Sequence, residues 1–270
     1  MEGYSGFRWA LLSGHPFPIG YLGTPKPRSD SKMPSVSVVL PAHNEEASLE
    51  SVVEEVFSGI QQLKRDYEII LVNDGSTDRT GEIARRLRQR IPNLFIVEHF
   101  PSRHYGGALK AGFAAATKDL IAFFPTDKQF VFQEIGRLLE KMDCADIVSG
   151  YRANRKDNLI RRFNALGWNT LVWFLFGYLC RDIDCGFKLF RREILTHVKL
   201  VSDGAPIDTE LLAGAKARGY RIAEVEVTHL PRAAGRATGA DFKVIAKAFR
   251  ELPRFRFRLN RELRGERQAP

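Results

Sequence analysis

Two periods of apolar and polar positions alternate along the first 150 residues of the chain. Short runs rich in Val, Ile and Leu stop abruptly at polar groups, and each gives way to a stretch with apolar residues three and four apart. The first pattern predicts buried strands and the second amphipathic helices. Strands are expected at Val36–Leu40, Glu68–Val72, Leu94–Glu98, Leu120–Phe124 and Asp146–Ser149. Helices are expected over Glu46–Lys64, from a cap at Ser76 or Thr77 through Arg90, over Ala108–Thr117 behind Gly106-Gly107, and near Gln133–Met142. This β-α-β-α order predicts a mainly parallel sheet. Beyond residue 150 the pattern reads as helix and loop to about residue 218. A last strand follows over Arg221–Thr228, then a basic helix after Gly239.

Composition refines this picture. The chain has 270 residues, 44% hydrophobic and 27% charged, which suits one globular domain with appendages. The expected division is a poorly ordered extension over 1–34, an α/β domain over 35–240, and a basic amphipathic helix or tail over 241–270. Residues 1–34 are broken by Gly14, Pro16, Pro18, Gly20, Gly23, Pro25 and Pro27 and show no signal-peptide pattern. The longest apolar run, Leu166–Cys180, falls short of the roughly 20 residues a spanning helix needs. Cys144, Cys180 and Cys185 lack metal-ligand spacing and read as reduced thiols. Net charge is +9, and the nine Lys/Arg and three Glu of residues 243–270 carry +6 of it. That stretch suits either plain solvation or an anionic surface.

Candidate chemistry gathers where the strands end. Glu45 follows the first strand and Asp74 the second, and carboxyl ends of neighbouring parallel strands are where open α/β sheets bind ligands. Carboxylates there suit a ribose or base edge. Helix capping for Glu45 and a turn role for Asp74 are the plainer alternatives. Asp127 follows the fourth strand and suits a hard divalent cation bridging phosphates, or simply a turn. Arginines are dense from Tyr151 to Arg192 and recur at Arg232 and Arg236; their planar fork suits phosphate. The helical run Phe163–Tyr178 carries Trp168, Trp173, Phe174, Phe176 and Tyr178. It reads as a core helix or as an interfacial helix on a membrane. Phe242, Ile245, Phe249, Leu252, Phe255 and Phe257 in the basic C-terminal stretch favour the membrane-facing reading.

These residues resemble a known family. Val38-Val39-Leu40-Pro41-Ala42-His43-Asn44-Glu45-Glu46, Val72-Asn73-Asp74-Gly75-Ser76-Thr77-Asp78, Asp127-Lys128-Gln129, Ser149-Gly150-Tyr151-Arg152 and Asp184-Cys185-Gly186-Phe187-Lys188-Leu189-Phe190-Arg191 run in the order seen in inverting family-2 glycosyltransferases. Within that family the chain looks most like the polyprenyl-phosphate hexosyltransferases of the dolichol-phosphate mannose synthase group. The resemblance implies a GT-A fold, Rossmann-like, with a mainly parallel sheet, helices on both faces, and added interfacial helices. It implies transfer of a hexose from GDP-mannose or UDP-glucose to a polyprenyl phosphate, with Mg²⁺ or Mn²⁺. Pro41, His43, Glu45, Val72 and Asp74 match positions that hold the base and ribose. Asp127 matches the second Asp of the metal motif, with Gln129 after it. Arg152 and Arg232 match arginines that contact phosphates. The chain departs from the pattern at Asn73, at Pro125 in place of the first metal-motif Asp, and at Thr238 in place of a phosphate-binding Lys, with Arg236 nearby.

The implied acceptor is a phosphate monoester, largely ionised near neutral pH, which needs no strong general base. Positioning and charge stabilisation then carry catalysis. The implied place is the cytoplasmic face of a membrane, held peripherally, with an anchoring partner or a second copy as further options. A sugar-hydroxyl acceptor is the alternative, with Asp208 or Glu210 as its base. A non-catalytic binder of nucleotide-sugar is another, and Pro125 is its best argument. Nucleic acid is disfavoured by the acidic strand ends and by the lack of a base-stacking motif.

Overall fold

The first four strands are β1 (Val36–Ala42), β2 (Tyr67–Asp74), β3 (Leu94–His99) and β4 (Leu120–Phe123). Three more follow: β5 (Ile147–Arg152), β6 (Lys188–Arg191) and β7 (Ile222–Val227). The structure is a computed structural model and describes residues 33–152, 159–231 and 242–268. Arg232, Arg236, Thr238 and all of the N-terminal extension but Met33 and Pro34 lie outside the described residues. The strands make one sheet in the order β3-β2-β1-β4-β6-β5-β7. β1 to β4 and the β5–β7 pair are parallel, and β6 runs antiparallel to both β4 and β5.

Helices cover both faces, as expected. α1 (Leu49–Gln62), α2 (Thr80–Arg90) and α4 (Ile135–Lys141) pack on one core with Val38, Leu40, Leu71, Phe124 and Phe187. α3 (His104–Ala115), α5 (Leu159–Phe176), α7 (Pro206–Ala217) and α8 (Phe242–Gln268) enclose the other, with Val39, Ile70, Val72 and Phe190. A short α6 (Ile194–His197) follows β6. Neighbours along β1 thus serve opposite cores, as the pleat requires.

Two expectations are corrected. The segment read as helix and loop to residue 218 contains β6, a strand in the middle of the sheet. Four residues are too few for a periodic signal, and Lys188 looks like a surface residue although it is 1% exposed. The apolar C-terminal stretch is not turned outward as a whole. Leu252 and Phe255 are buried, Phe255 stacks on Phe176 at 5.1 Å and Phe249 meets Trp168 edge-on at 5.6 Å. Phe257, 76% exposed, leaves that packing, and the side chains of Phe242 and Ile245 lie outside the description. α5 is likewise two-faced. Trp168, Val172 and Phe176 are core, while Leu166, Trp173 and Phe174 are open to solvent.

Candidate active site

The chain leaves β1 on one side for β2 and β3 and returns on its other side for β4. The crevice above the carboxyl ends of β1 and β4 is therefore the switch point where an open α/β sheet takes its ligand. Left-handed backbone recurs in the segments after the first four strands, at Asn44 (φ 55°), Gly75 (68°), His104 (62°) and Lys128 (59°). For residues with a Cβ this conformation is costly, and such strain gathers at functional sites. Gly75 is required where it stands, because a Cβ there would lie 2.6 Å from the Ser102 amide nitrogen.

At the first two strand ends the predicted residues take different parts. Pro41 accepts the Thr126 hydroxyl at its carbonyl (2.7 Å), which ties β1 to the loop beyond β4. His43 is exposed, and its Nδ1–H donates to the Asp74 carbonyl at 2.7 Å. Glu45 donates its N–H to Thr80 Oγ1 (2.8 Å) and accepts from Ser48 Oγ (2.7 Å), so it also serves the start of α1. Val72 has its side chain fully buried in the core under α3. Asp74, matched to the base and ribose positions, is tied to the protein itself. Its carboxylate accepts from His99 Nδ1 (2.8 Å), Ser102 Oγ (2.6 Å) and the Arg103 amide (2.9 Å). Burial pushes its pKa up, but the hydrogen bonds from Ser102, Arg103 and His99 outweigh this and hold it below the ordinary 3.8. Asp74 is the anchor of the loop over 99–103. Its neighbour Asn73 is 8% exposed, and its Oδ1 has no partner among the described residues.

Asp127 opens the turn after β4. Its Oδ1 accepts the Gln129 amide at 3.2 Å. Gln129 turns its side-chain nitrogen toward His229 Nε2 (3.2 Å) and the Leu230 carbonyl (3.4 Å). A carboxylate and a carboxamide oxygen on one turn are hard donors of the kind Mg²⁺ and Mn²⁺ accept. One carboxylate is enough where phosphate oxygens and water complete the shell. Among the described residues no three His, Cys, Asp or Glu converge, so these residues fit a cation shared with a phosphate ligand rather than a closed protein cage.

Arg152 ends β5, across the sheet from Asp127. Its Nε and Nη2 form a fork on Asp182 at 2.6 and 2.8 Å, with side chains 12% and 7% exposed. Asp182 was not picked out from the sequence. Lys188 is another omission, quoted in a motif but given no role. Its ammonium donates to Asp208 Oδ1 at 2.7 Å and to the Cys185 carbonyl, while the Tyr105 hydroxyl donates to the other Asp208 oxygen at 2.9 Å. Asp184 completes the group. Burial, then Asp208 and Asp182, raise its pKa to about 7, and its Oδ1 is sealed without a partner. Gly186 in the same turn packs on Pro125, where a Cβ would lie 2.5 Å from the proline ring. Neither proposed base is poised for a hydroxyl. Asp208 is engaged as above. Glu210, 0% exposed, accepts from the Val201 and Ser202 amides, Ser202 Oγ and Arg258 Nη2 at 2.5–3.0 Å.

The chain belongs to glycosyl transferase family 2, whose pattern matches residues 37–199. Among its relatives is the undecaprenyl-phosphate 4-deoxy-4-formamido-L-arabinose transferase of Photorhabdus laumondii, 32% identical over 220 residues, aligned over 80% of this chain and 66% of the relative. A dolichyl-phosphate beta-glucosyltransferase of Trichomonas vaginalis is 27% identical over 249 residues, covering 82% and 76%. The chain thus spans slightly less than two thirds of the first relative's length. In three dimensions it is similar to Mycobacterium tuberculosis glucosyl-3-phosphoglycerate synthase in complex with Mn²⁺, UDP and phosphoglyceric acid. The TM-score is 0.60 at 20% identity, over 84% of this chain and 78% of that one. The fold is GT-A, as the motifs implied.

Proposed function

We propose that this chain transfers a sugar from a nucleotide-sugar to a polyprenyl phosphate. The observation that carries the reading is the placing of Asp127 and Gln129 at the β1/β4 switch crevice of a family-2 chain. The relatives named for undecaprenyl- and dolichyl-phosphate support the acceptor class. The nucleoside lies against the β1 and β2 ends, near Pro41, His43 and Glu45. Asp127 and Gln129 hold a divalent cation, which supplies charge stabilisation to the departing diphosphate. Arg152 and Arg232 attend the phosphates, with Arg152 aimed by Asp182. The acceptor oxygen is already anionic near neutral pH, so no side chain has to remove a proton. The full engagement of Asp208 and Glu210 agrees with this and argues against a hydroxyl acceptor.

A lipid acceptor calls for a membrane surface. Among the described residues no helix is long and apolar enough to cross a membrane. Leu166, Trp173, Phe174 and Tyr178 are 49–64% exposed along α5 and just beyond it. They are the natural contact for peripheral docking on a cytoplasmic face, alone or beside an anchoring partner or second copy. The domain division follows: 35–240 as the transferase unit and 241–270 as the basic helix that braces it.

The test mixes purified chain with labelled GDP-mannose, UDP-glucose or a nucleotide-linked 4-deoxy-4-formamido-arabinose, Mg²⁺ or Mn²⁺, and polyprenyl phosphate in detergent. Label should enter the organic phase with one donor, and chelation should stop it. Asp127→Ala should lower transfer by about 10³-fold or more with an unchanged unfolding curve. Wild-type turnover in that variant would remove the cation assignment. No transfer from any donor, in a chain that still binds nucleotide, would favour a non-catalytic binder.

A further inference from the structure

The exit from β7 is laid against the turn after β4, about a hundred residues away in sequence. Leu230 N–H donates to the Gln129 carbonyl at 2.9 Å. Thr228 donates its N–H and hydroxyl to the two carboxylate oxygens of Glu134 at 2.8 and 2.9 Å. Between these ties lies His229, 7% exposed, with its ring 5.8 Å from that of Phe130. Phe130 is itself buried against Phe124 and Phe187. The imidazole therefore has little room to turn.

Hydrogen-bond chemistry then settles what His229 does. Gln129 Nε2 faces the Leu230 carbonyl and His229 Nε2. A carbonyl only accepts, so the Gln129 atom facing it is the amide nitrogen and not the oxygen. That nitrogen has two hydrogens and no lone pair to offer. The second hydrogen goes to His229 Nε2, which acts as the acceptor, so the imidazole carries its proton on Nδ1. With both amide hydrogens directed at the β7 exit, Gln129 Oε1 is left without a protein partner among the described residues, on the turn that carries Asp127.

We propose that His229 is a positioning residue for the cation: it fixes the Gln129 carboxamide so that Oε1 stands as a second hard oxygen donor on a turn where Pro125 supplies none. The inference rests on the reading of Asp127 as a cation ligand. Orienting groups behind a metal ligand typically contribute about 10–100-fold in metal affinity.

The readout is linkage between cation and nucleotide, which needs no turnover. Calorimetry on the full chain compares binding of UDP, and separately GDP, with and without Mn²⁺. In the wild type, Mn²⁺ should tighten the nucleotide that binds. His229→Leu keeps bulk but removes the acceptor, and should lose about tenfold or more of that tightening while leaving metal-free nucleotide affinity alone. His229→Gln offers an oxygen at similar reach and should restore the tightening to within about threefold. Gln129→Leu, on a half-buried turn, should match His229→Leu, and the double variant should be no worse than either.

Wild-type tightening in His229→Leu would overturn the proposal. So would a His229→Gln as poor as His229→Leu, since that marks packing alone, or additive losses in the double variant. If His229→Leu fails to fold, the Gln129→Leu result decides, and undiminished tightening there sinks the idea. Asp127→Ala separates this inference from its parent. Tightening lost in Asp127→Ala but kept in His229→Leu removes only His229, while tightening kept in Asp127→Ala removes the cation site itself.

Discussion

The two halves of the sheet are held together by different physics. In the β1–β4 half, strands and helices alternate in chain order, the Arg–Glu pairs stay outside, and the buried carboxylates Glu68 and Asp74 are held by hydroxyl, amide and imidazole donors. The pairs linking α1 and α2, Arg86–Glu50 and Arg90–Glu54, are 40–55% exposed at both ends. In the β5–β7 half an antiparallel strand is inserted between parallel ones, and the ties run through buried charge: Arg152–Asp182, Lys188–Asp208 and Arg258–Glu210. Consecutive parallel βα units bury apolar faces by default. Segments brought together from far along the chain need directional contacts to set their register, and a buried ion pair is directional at a cost in desolvation. The β1–β4 half therefore stands on a conventional core, and the β5–β7 half on a few buried ion pairs.

The sharpest way to break this contrast is Lys188→Met. The change leaves Asp208 buried with Tyr105 as its remaining partner, and breaking a buried pair from one side costs about 3–5 kcal/mol. Urea unfolding should show it as a fall in midpoint at constant slope. Adding Asp208→Asn should recover part of the loss. A single-variant cost below about 1 kcal/mol would mean that the charges decorate the β5–β7 half rather than hold it.

Asp184 tests the same half through pH. Its folded pKa is raised to about 7 from 3.8, so the folded chain keeps a proton that the unfolded chain has lost. Stability then falls as pH climbs from about 4 to 7 and levels off above 7. Asp184→Asn should remove this slope and gain on the order of 2 kcal/mol at pH 8, discounted because the edge of the side chain meets solvent. A variant with the wild-type slope would remove the assignment.

Legibility follows the same division. The parallel order, the helices on both faces and the strand ends carrying Glu45 and Asp127 were readable, because buried parallel strands write their positions as apolar runs. β6 was not, because its burial depends on an ion pair with a residue 20 positions on. Pattern reading counts Lys188 as surface. Asp74 was located and a turn role weighed for it, but its partners His99 and Ser102 lie at the next strand end, so the loop it anchors was invisible. Val72 was assigned to the site by motif alone, and a continuous apolar run does not say which core its side chain enters. His229 and Asp182 had no local signal at all, since each matters through a contact with a distant turn.

In the β1–β4 half, Asp74→Ala should cost about 1–3 kcal/mol by leaving buried donors unpaired. It should also weaken nucleotide binding, since the proposed nucleoside contact His43 is held by the Asp74 carbonyl. The depressed pKa of Asp74 makes its contribution present above about pH 4 and lost as pH falls through the folded value. The difference between wild type and variant should therefore shrink in acid, as acid-unfolding curves of the two would show. A difference that persists unchanged at pH 2 would mean that packing, not the charged hydrogen bonds, accounts for the cost.

The smallest effect marks the other end of the comparison. Arg86 makes a 2.6 Å contact with Glu50, as short as the buried Arg152–Asp182 pair, but its side chain is 52% exposed. Distance alone would rank the two pairs equal. Solvent screening and the entropy of a long free side chain reduce an exposed pair to about 0–1 kcal/mol. Arg86→Ala should accordingly shift the urea midpoint by little, and any shift should vanish in 0.5 M salt, roughly, where the screening length falls to a few ångströms. Lys188→Met should keep its full deficit under the same conditions, because water and ions do not reach Asp208. If both variants respond to salt alike, the division of the sheet into an apolar half and an ionic half is wrong.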